Sequence, residues 1–290
     1  MYTWIFYATG SAIFAALTTI LAKIGLQNIN SYSATAIRTL VVLVFAWIMV
    51  FLTGSQVEIV DVEPMTWLFL ILSGFATGGS WVCYFRALQL GSVNKVVPID
   101  KSSTILTMIL AFIFLAEPIG ILTAFGMVLM ALGTWLMLEL KKDDGESGSR
   151  KWLVFAVLAA VFAALTAILG RVGIVGVEAN LGTAIRTVAV VPMSWLMVAI
   201  TRNSAEKSAK IDVKGWVFLV LSGVATGASW LFFYRALQLG NASQVVPIDK
   251  LSIAFTMGFS ALFLGERFSL RTTVGLLLLI VGTLLPILIA

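Results

Sequence analysis

Histidine is absent from these 290 residues, and cysteine occurs once, at Cys83, in the middle of an apolar run. Without histidine there is no His-dependent catalytic triad, and a single thiol can form neither a disulfide within the chain nor a zinc site. Charge is scarce as well: Asp, Glu, Lys and Arg together make up 11% of the chain. No Gly-x-x-x-x-Gly-Lys-Ser/Thr stretch occurs, which excludes ATP drive through a phosphate-binding loop of that type. The polar groups offer no nucleophile and base pair, so neither an enzyme nor a cofactor is expected. Met1-Tyr2-Thr3-Trp4 brings no basic region and no small-residue cleavage site, so the first apolar run is expected to remain as a helix.

Apolar side chains are what the sequence has in abundance, at 60% of residues with a mean hydropathy of +1.03. Soluble cores interrupt such runs with polar faces every turn or two, whereas here they extend to about 20 residues, the helical length that spans the hydrocarbon of a bilayer. The net charge of +5 lies in short loops rather than in one stripe, which fits membrane orientation and not nucleic-acid binding. An all-α integral membrane fold follows, with helices expected at 3–26, 33–52, 66–90, 96–116, 120–139, 152–173, 181–200, 214–239, 245–264 and 269–289. The one clear linker, 139–151, is charged and contains Gly and Ser, so it separates a first five-helix repeat at 1–138 from a second at 152–290.

The halves are copies. Residues 77–101 match 226–250 at 16 of 25 positions, and Thr35-Ala36-Ile37-Arg38-Thr39 returns as Thr183-Ala184-Ile185-Arg186-Thr187. An odd number of helices per repeat turns the second half upside down in the membrane, giving ten transmembrane helices as two inverted five-helix repeats. Lys and Arg set the orientation: with both termini outside, Lys23, Lys95, Lys141, Lys142, Lys214 and Arg267 fall at cytoplasmic ends, and only Arg171 and Arg235 fall outside.

Ionisable groups inside apolar helices are costly unless paired or hydrated, which makes them functional candidates. Here they come in matched pairs: Arg38 with Arg186, Asp100 with Asp249, Lys101 with Lys250, and Arg86 with Arg235. One reading is structural. Pro98 and Pro247 suit a first helical turn, placing Asp100 and Asp249 at a positive helix end, while the Lys and Arg side chains reach out to the interface. The other is a binding site in which Trp81, Tyr84, Asp100 and Lys101 of one half face Trp230, Tyr234, Asp249 and Lys250 of the other. Aromatic walls with both signs of charge suit a zwitterion or a small organic anion. Arg38 and Arg186 either hold the two aspartates ionised or meet the substrate. Lys95 and Ser102 are replaced by Gln244 and Leu251 in the second half, so Asp249 rather than Asp100 is expected to carry any proton coupling.

Small residues recur at helical spacing. Gly74 with Gly78 and Gly223 with Gly227 allow close helix approach, and Gly126, Gly133, Gly275 and Gly282 are expected to pack helix 5 on helix 10 within a monomer.

The Arg-Ala-Leu-Gln-Leu-Gly and Val-Val-Pro-Ile-Asp-Lys segments occur once in each half, as does Leu-Ala-Glu-Pro or its counterpart Leu-Gly-Glu-Arg. Together they resemble the EamA family of the drug/metabolite transporter superfamily. That resemblance implies a central cavity lined mainly by helices 1, 3, 4, 6, 8 and 9, alternating access, and export of amino acids or other metabolites. The glycine pairs of helices 5 and 10 resemble the pairing helix of the small multidrug resistance proteins, but helix 1 carries no membrane-embedded glutamate like theirs. The expectation is therefore a multi-pass secondary transporter in the plasma membrane of a prokaryote, with a small-molecule substrate and the lipid bilayer as partners and no nucleic acid. A flippase for a lipid-linked sugar or lipid, or an organic-anion exchanger, is the alternative.

Overall fold

The structure, a computed structural model, describes residues 3–25, 31–90, 96, 99–137, 151–201, 212–264 and 269–288. The 139–150 part of the linker, Lys95, Pro98, Glu266 and Arg267 lie outside the described residues, so their expected roles are not addressed by it. The described residues contain no strand. Their helices are α1 (Thr3–Gly25), α2 (Ser31–Thr53), α3 (Pro64–Leu90), α4 (Ser103–Leu115), α5 (Ile121–Met137), α6 (Lys151–Gly173), α7 (Ala179–Thr201), α8 (Val213–Leu239), α9 (Ala242–Lys250), α10 (Ser252–Leu264) and α11 (Leu270–Leu288). Seven stretches among them are long and apolar enough to cross a membrane, and Ile121–Met137 and Leu270–Leu285 are shorter apolar helices.

Helix starts follow local chemistry. Pro64 opens α3, where its missing N–H is no loss, and the Asp212 carboxylate caps α8 by accepting the Gly215 N–H at 2.8 Å. The start of α9 is set from a distance. Both oxygens of Glu117, beyond the end of α4, accept backbone N–H groups of Ala242 and Ser243 at 2.8 Å. This cap moves the helix start upstream of the expected residue 245, so Pro247 stands inside α9 and not in its first turn. The helix-end reading of Asp249 is thereby corrected: the residue lies in the last turn of α9, just before a break at Leu251.

That break also corrects the continuous helix expected over 245–264. α9 carries Pro247 within it, and the ladder changes only at Leu251, whose N–H bonds to the Ile248 carbonyl three residues back. The first half repeats the arrangement, with Ser102 in a turn and its N–H bonded to the Ile99 carbonyl.

Packing exchanges equivalent helices between the halves. The closest pairings are α1 with α8, α3 with α6 and α5 with α11, while α2 packs against α7 and α8, and α3 also against α7. Small residues make this possible. Buried Ala8, Ala12 and Ala16 form a stripe on α1, and buried Ala156, Ala160 and Ala164 form its copy on α6. A Cβ on Gly133 would fall 2.5 Å from the Gly275 carbonyl oxygen, and one on Gly282 would fall 2.6 Å from that of Gly126. Packing without hydrophobic drive depends on such backbone approach, because lipid tails are as apolar as leucine.

Candidate functional site

Where α1, α3, α4, α6, α7, α8 and α9 meet, they enclose a cavity of about 280 Å³. Its framework is a hydroxyl ladder present twice. Ser73, Thr77 and Ser80 share one face of α3, as Ser222, Thr226 and Ser229 do on α8. Ser73 Oγ donates to the Thr166 carbonyl at 2.8 Å, and Ser222 Oγ to the Thr18 carbonyl at 3.3 Å. Ser80 Oγ donates to the Ala159 carbonyl at 3.0 Å, and Ser229 Oγ to the Ser11 carbonyl at 3.1 Å. Thr77 meets Thr166 at 3.3 Å and Thr226 meets Thr18 at 3.2 Å, hydroxyl to hydroxyl. These bonds satisfy polar groups that lipid would leave bare, and they fix the cavity walls.

Among the described residues, three charged side chains enter this frame: Arg186 from α7 and Asp249 and Lys250 from the end of α9. Arg186 is only 3% exposed. Its Nε donates to Ser73 Oγ at 3.2 Å and its Nη2 to Thr77 Oγ1. The guanidinium carbon lies 4.7 Å from the Trp230 ring centre and 4.9 Å from that of Tyr234, so two aromatic rings border the cation. The remaining nitrogen, Nη1, is buried without a hydrogen-bond partner. Asp249 is held by a different group: Ser11 Oγ donates to its Oδ1 at 2.6 Å, and Ser229 stands 3.2 Å from Ser11.

The cavity therefore takes in Trp81, Trp230, Tyr234, Asp249 and Lys250 of the expected binding residues, together with Arg186. Tyr84, Asp100, Lys101 and Arg38 are not part of its lining. Asp100 sits 3.8 Å from the ammonium of Lys101, and Lys101 faces a neighbouring cavity of about 210 Å³ bordered by α5 and α11. Lys250 lines both cavities. A reading built on charge and aromatics passes over the hydroxyls of Ser11, Ser80, Thr107, Thr166 and Ser229, which make up much of the polar wall. For Ser80 and Ser229 the signal was the Ser-x-x-x-Thr-x-x-Ser spacing repeated at 73–80 and 222–229, whereas Ser11 gave none, since Ala159 stands in its place in the second half. Glu117 gave only half a signal, as a lone acid beside a proline, because its target lies 125 residues away.

The chain matches the EamA-like transporter family over residues 2–139 and again over 150–288. An uncharacterized transporter from the cobO 3′ region of Sinorhizobium sp is 44% identical over 137 residues, which cover 96% of that protein but 47% of this chain. The uncharacterized transporter YxxF of Bacillus subtilis is 23% identical over 90% of this chain and 82% of its own length. An uncharacterized transporter of Archaeoglobus fulgidus is 22% identical over 96% of this chain and 95% of its own. One solved crystal structure shares the fold at a TM-score of 0.79, covering 98% of this chain and 96% of that one at 16% identity.

Proposed function

The chain belongs to the EamA-like transporter family, and we propose that it is a secondary active transporter that exports or exchanges small polar metabolites, amino acids among them, by alternating access. In this reading ten helices cross the plasma membrane of a prokaryote as two inverted five-helix repeats. The observation that carries it is the cavity of about 280 Å³ between the repeats, which combines aromatic walls, hydroxyls and both signs of charge in an otherwise apolar molecule. Its volume lies just under the ~300–1,000 Å³ of drug-sized sites, a fit for a metabolite.

The broken helices supply the moving part. At Leu251 and Ser102 the backbone keeps right-handed helical angles but the regular ladder of bonds is interrupted, so the Asp249–Lys250 segment can turn with the cavity as it opens to one side or the other. Substrate held by groups from α7, α8 and α9 contacts elements that move relative to one another, which is what couples binding to reorientation. The test is uptake and counterflow of a labelled metabolite panel in proteoliposomes, with and without an imposed pH gradient. Saturable flux of at least one small polar compound is expected. Absence of flux and exchange for the whole panel would refute the reading.

A further inference from the structure

Resting on the cavity as the transport site, we propose that Arg186 recognises the transported molecule and that this molecule is a small carboxylate of net negative charge. Arg186 is a cation with no internal counter-ion: among the described residues no carboxylate lies within 4.0 Å of it, and Asp249 is bonded to Ser11 instead. A charge buried in this way is unfavourable until something of opposite sign completes it. Ser73 and Thr77 occupy Nε and Nη2, and the Trp230 and Tyr234 rings border the guanidinium. The group is thus fixed in orientation with one donor edge, Nη1, left over beside the cavity. A planar fork held rigid with a free donor is suited to a carboxylate oxygen, and it loses little freedom on binding.

Charge balance narrows the class. Among the described residues, Arg186 and Lys250 against Asp249 leave the cavity one positive charge in excess, so a ligand with one more negative than positive group neutralises it. An acidic amino acid meets this with its ammonium at Asp249 and its carboxylates at Arg186 and Lys250. A monocarboxylic acid meets it with its one carboxylate, and a dicarboxylate such as succinate brings one negative charge more.

The experiment is counterflow in proteoliposomes with L-glutamate, L-glutamine, L-lysine, succinate and inorganic phosphate, paired with thermal stabilisation of the purified protein by the same compounds. Glutamate or succinate should move at least about tenfold faster than glutamine and lysine, the discrimination that one charge-assisted bond supports. Arg186→Lys, which keeps the charge and removes the fork, should raise the carboxylate KM about tenfold or more while the protein stays folded. Thr77→Val, which frees Nη2, should raise it less. Equal or faster flux of glutamine or lysine in the unaltered protein overturns the proposal but leaves the transporter reading intact, as does a phosphate preference or an Arg186→Lys protein of unchanged KM. No flux or stabilisation by any of the five compounds overturns the proposal, and the transporter reading is then decided by the wider metabolite panel.

Discussion

The two halves of the molecule share a scaffold and differ at its centre. Their seams are copies down to single hydroxyls: the bonds that join α3 to α6 recur between α8 and α1. Around the paired aspartates the copies part. Asp249 faces the cavity and accepts a 2.6 Å bond from Ser11, but the residue equivalent to Ser11 in the second half is Ala159, so Asp100 has no matching hydroxyl and pairs with Lys101 next to it. The aromatic pair is transposed too, since Tyr84 corresponds to Phe233 and Tyr234 to Phe85. Only the second half therefore sets a phenol beside the arginine of the cavity. Duplication supplied the frame twice, and a few side-chain replacements set the two copies apart around the charged cavity.

The largest effect is expected where the halves must stay alike. Gly133→Leu combined with Gly282→Leu drives side chains into backbone carbonyls about 2.5–2.6 Å from each new Cβ and should separate α5 from α11. Folded yield by size-exclusion chromatography should fall several-fold, since overpacking at even one site costs about 1–3 kcal/mol. A normal elution profile and melting temperature would place these faces outside the seam.

Next comes the contrast between the aspartates. Asp249→Asn should reduce pH-driven flux about tenfold, equivalent to about 1.4 kcal/mol, while leaving counterflow partly active. Asp100→Asn should be milder. Equal losses, or none in either variant, would dissolve the distinction drawn from their surroundings.

Ser11→Ala sharpens the same comparison from the donor side by making the first half resemble the second. It removes a hydrogen bond to a charged acceptor, worth about 1.5–3 kcal/mol, and should lower the melting temperature and narrow the gap between the Asp249 and Asp100 variants. Ala159→Ser, the reciprocal change, puts a hydroxyl without a partner at a fully buried position and should lower the melting temperature by the equivalent of about 1–3 kcal/mol. A Ser11→Ala protein that melts and transports unchanged would show the contact to be incidental.

The smallest effect concerns Ala116, which ends α4 in the left-handed region at φ 53°, where its counterpart in the second half is Gly265. A side chain there is strained by roughly 1–2 kcal/mol relative to glycine. Ala116→Gly is expected to raise the melting temperature slightly, and a decrease would mean that the methyl group contributes packing that outweighs the strain.

Much of the architecture was legible because its causes are local. Helix positions followed from apolar runs of membrane-spanning length, and the close glycines of α5 and α11 from their spacing on one face. Trp81, Trp230, Asp249 and Lys250 stood out as polar or aromatic groups inside such runs. The break after α9 was not legible, since Pro247 equally suits a first helical turn, and local sequence does not say where that helix begins. That was decided by Glu117, whose carboxylate reaches the α9 N-terminus only after the halves have packed.

What the sequence by itself determined is the solvent and the duplication: a bilayer demands long apolar helices, and repeated segments can be read directly against each other. Which member of each charged pair faces the cavity was decided by tertiary structure alone. Arg186 meets Ser73 and Thr77 across 113 and 109 residues, and Asp249 meets Ser11 across 238. Nothing in local spacing encodes such partners, because they become neighbours only when small residues let helices of opposite halves come close enough for short hydroxyl side chains to reach them.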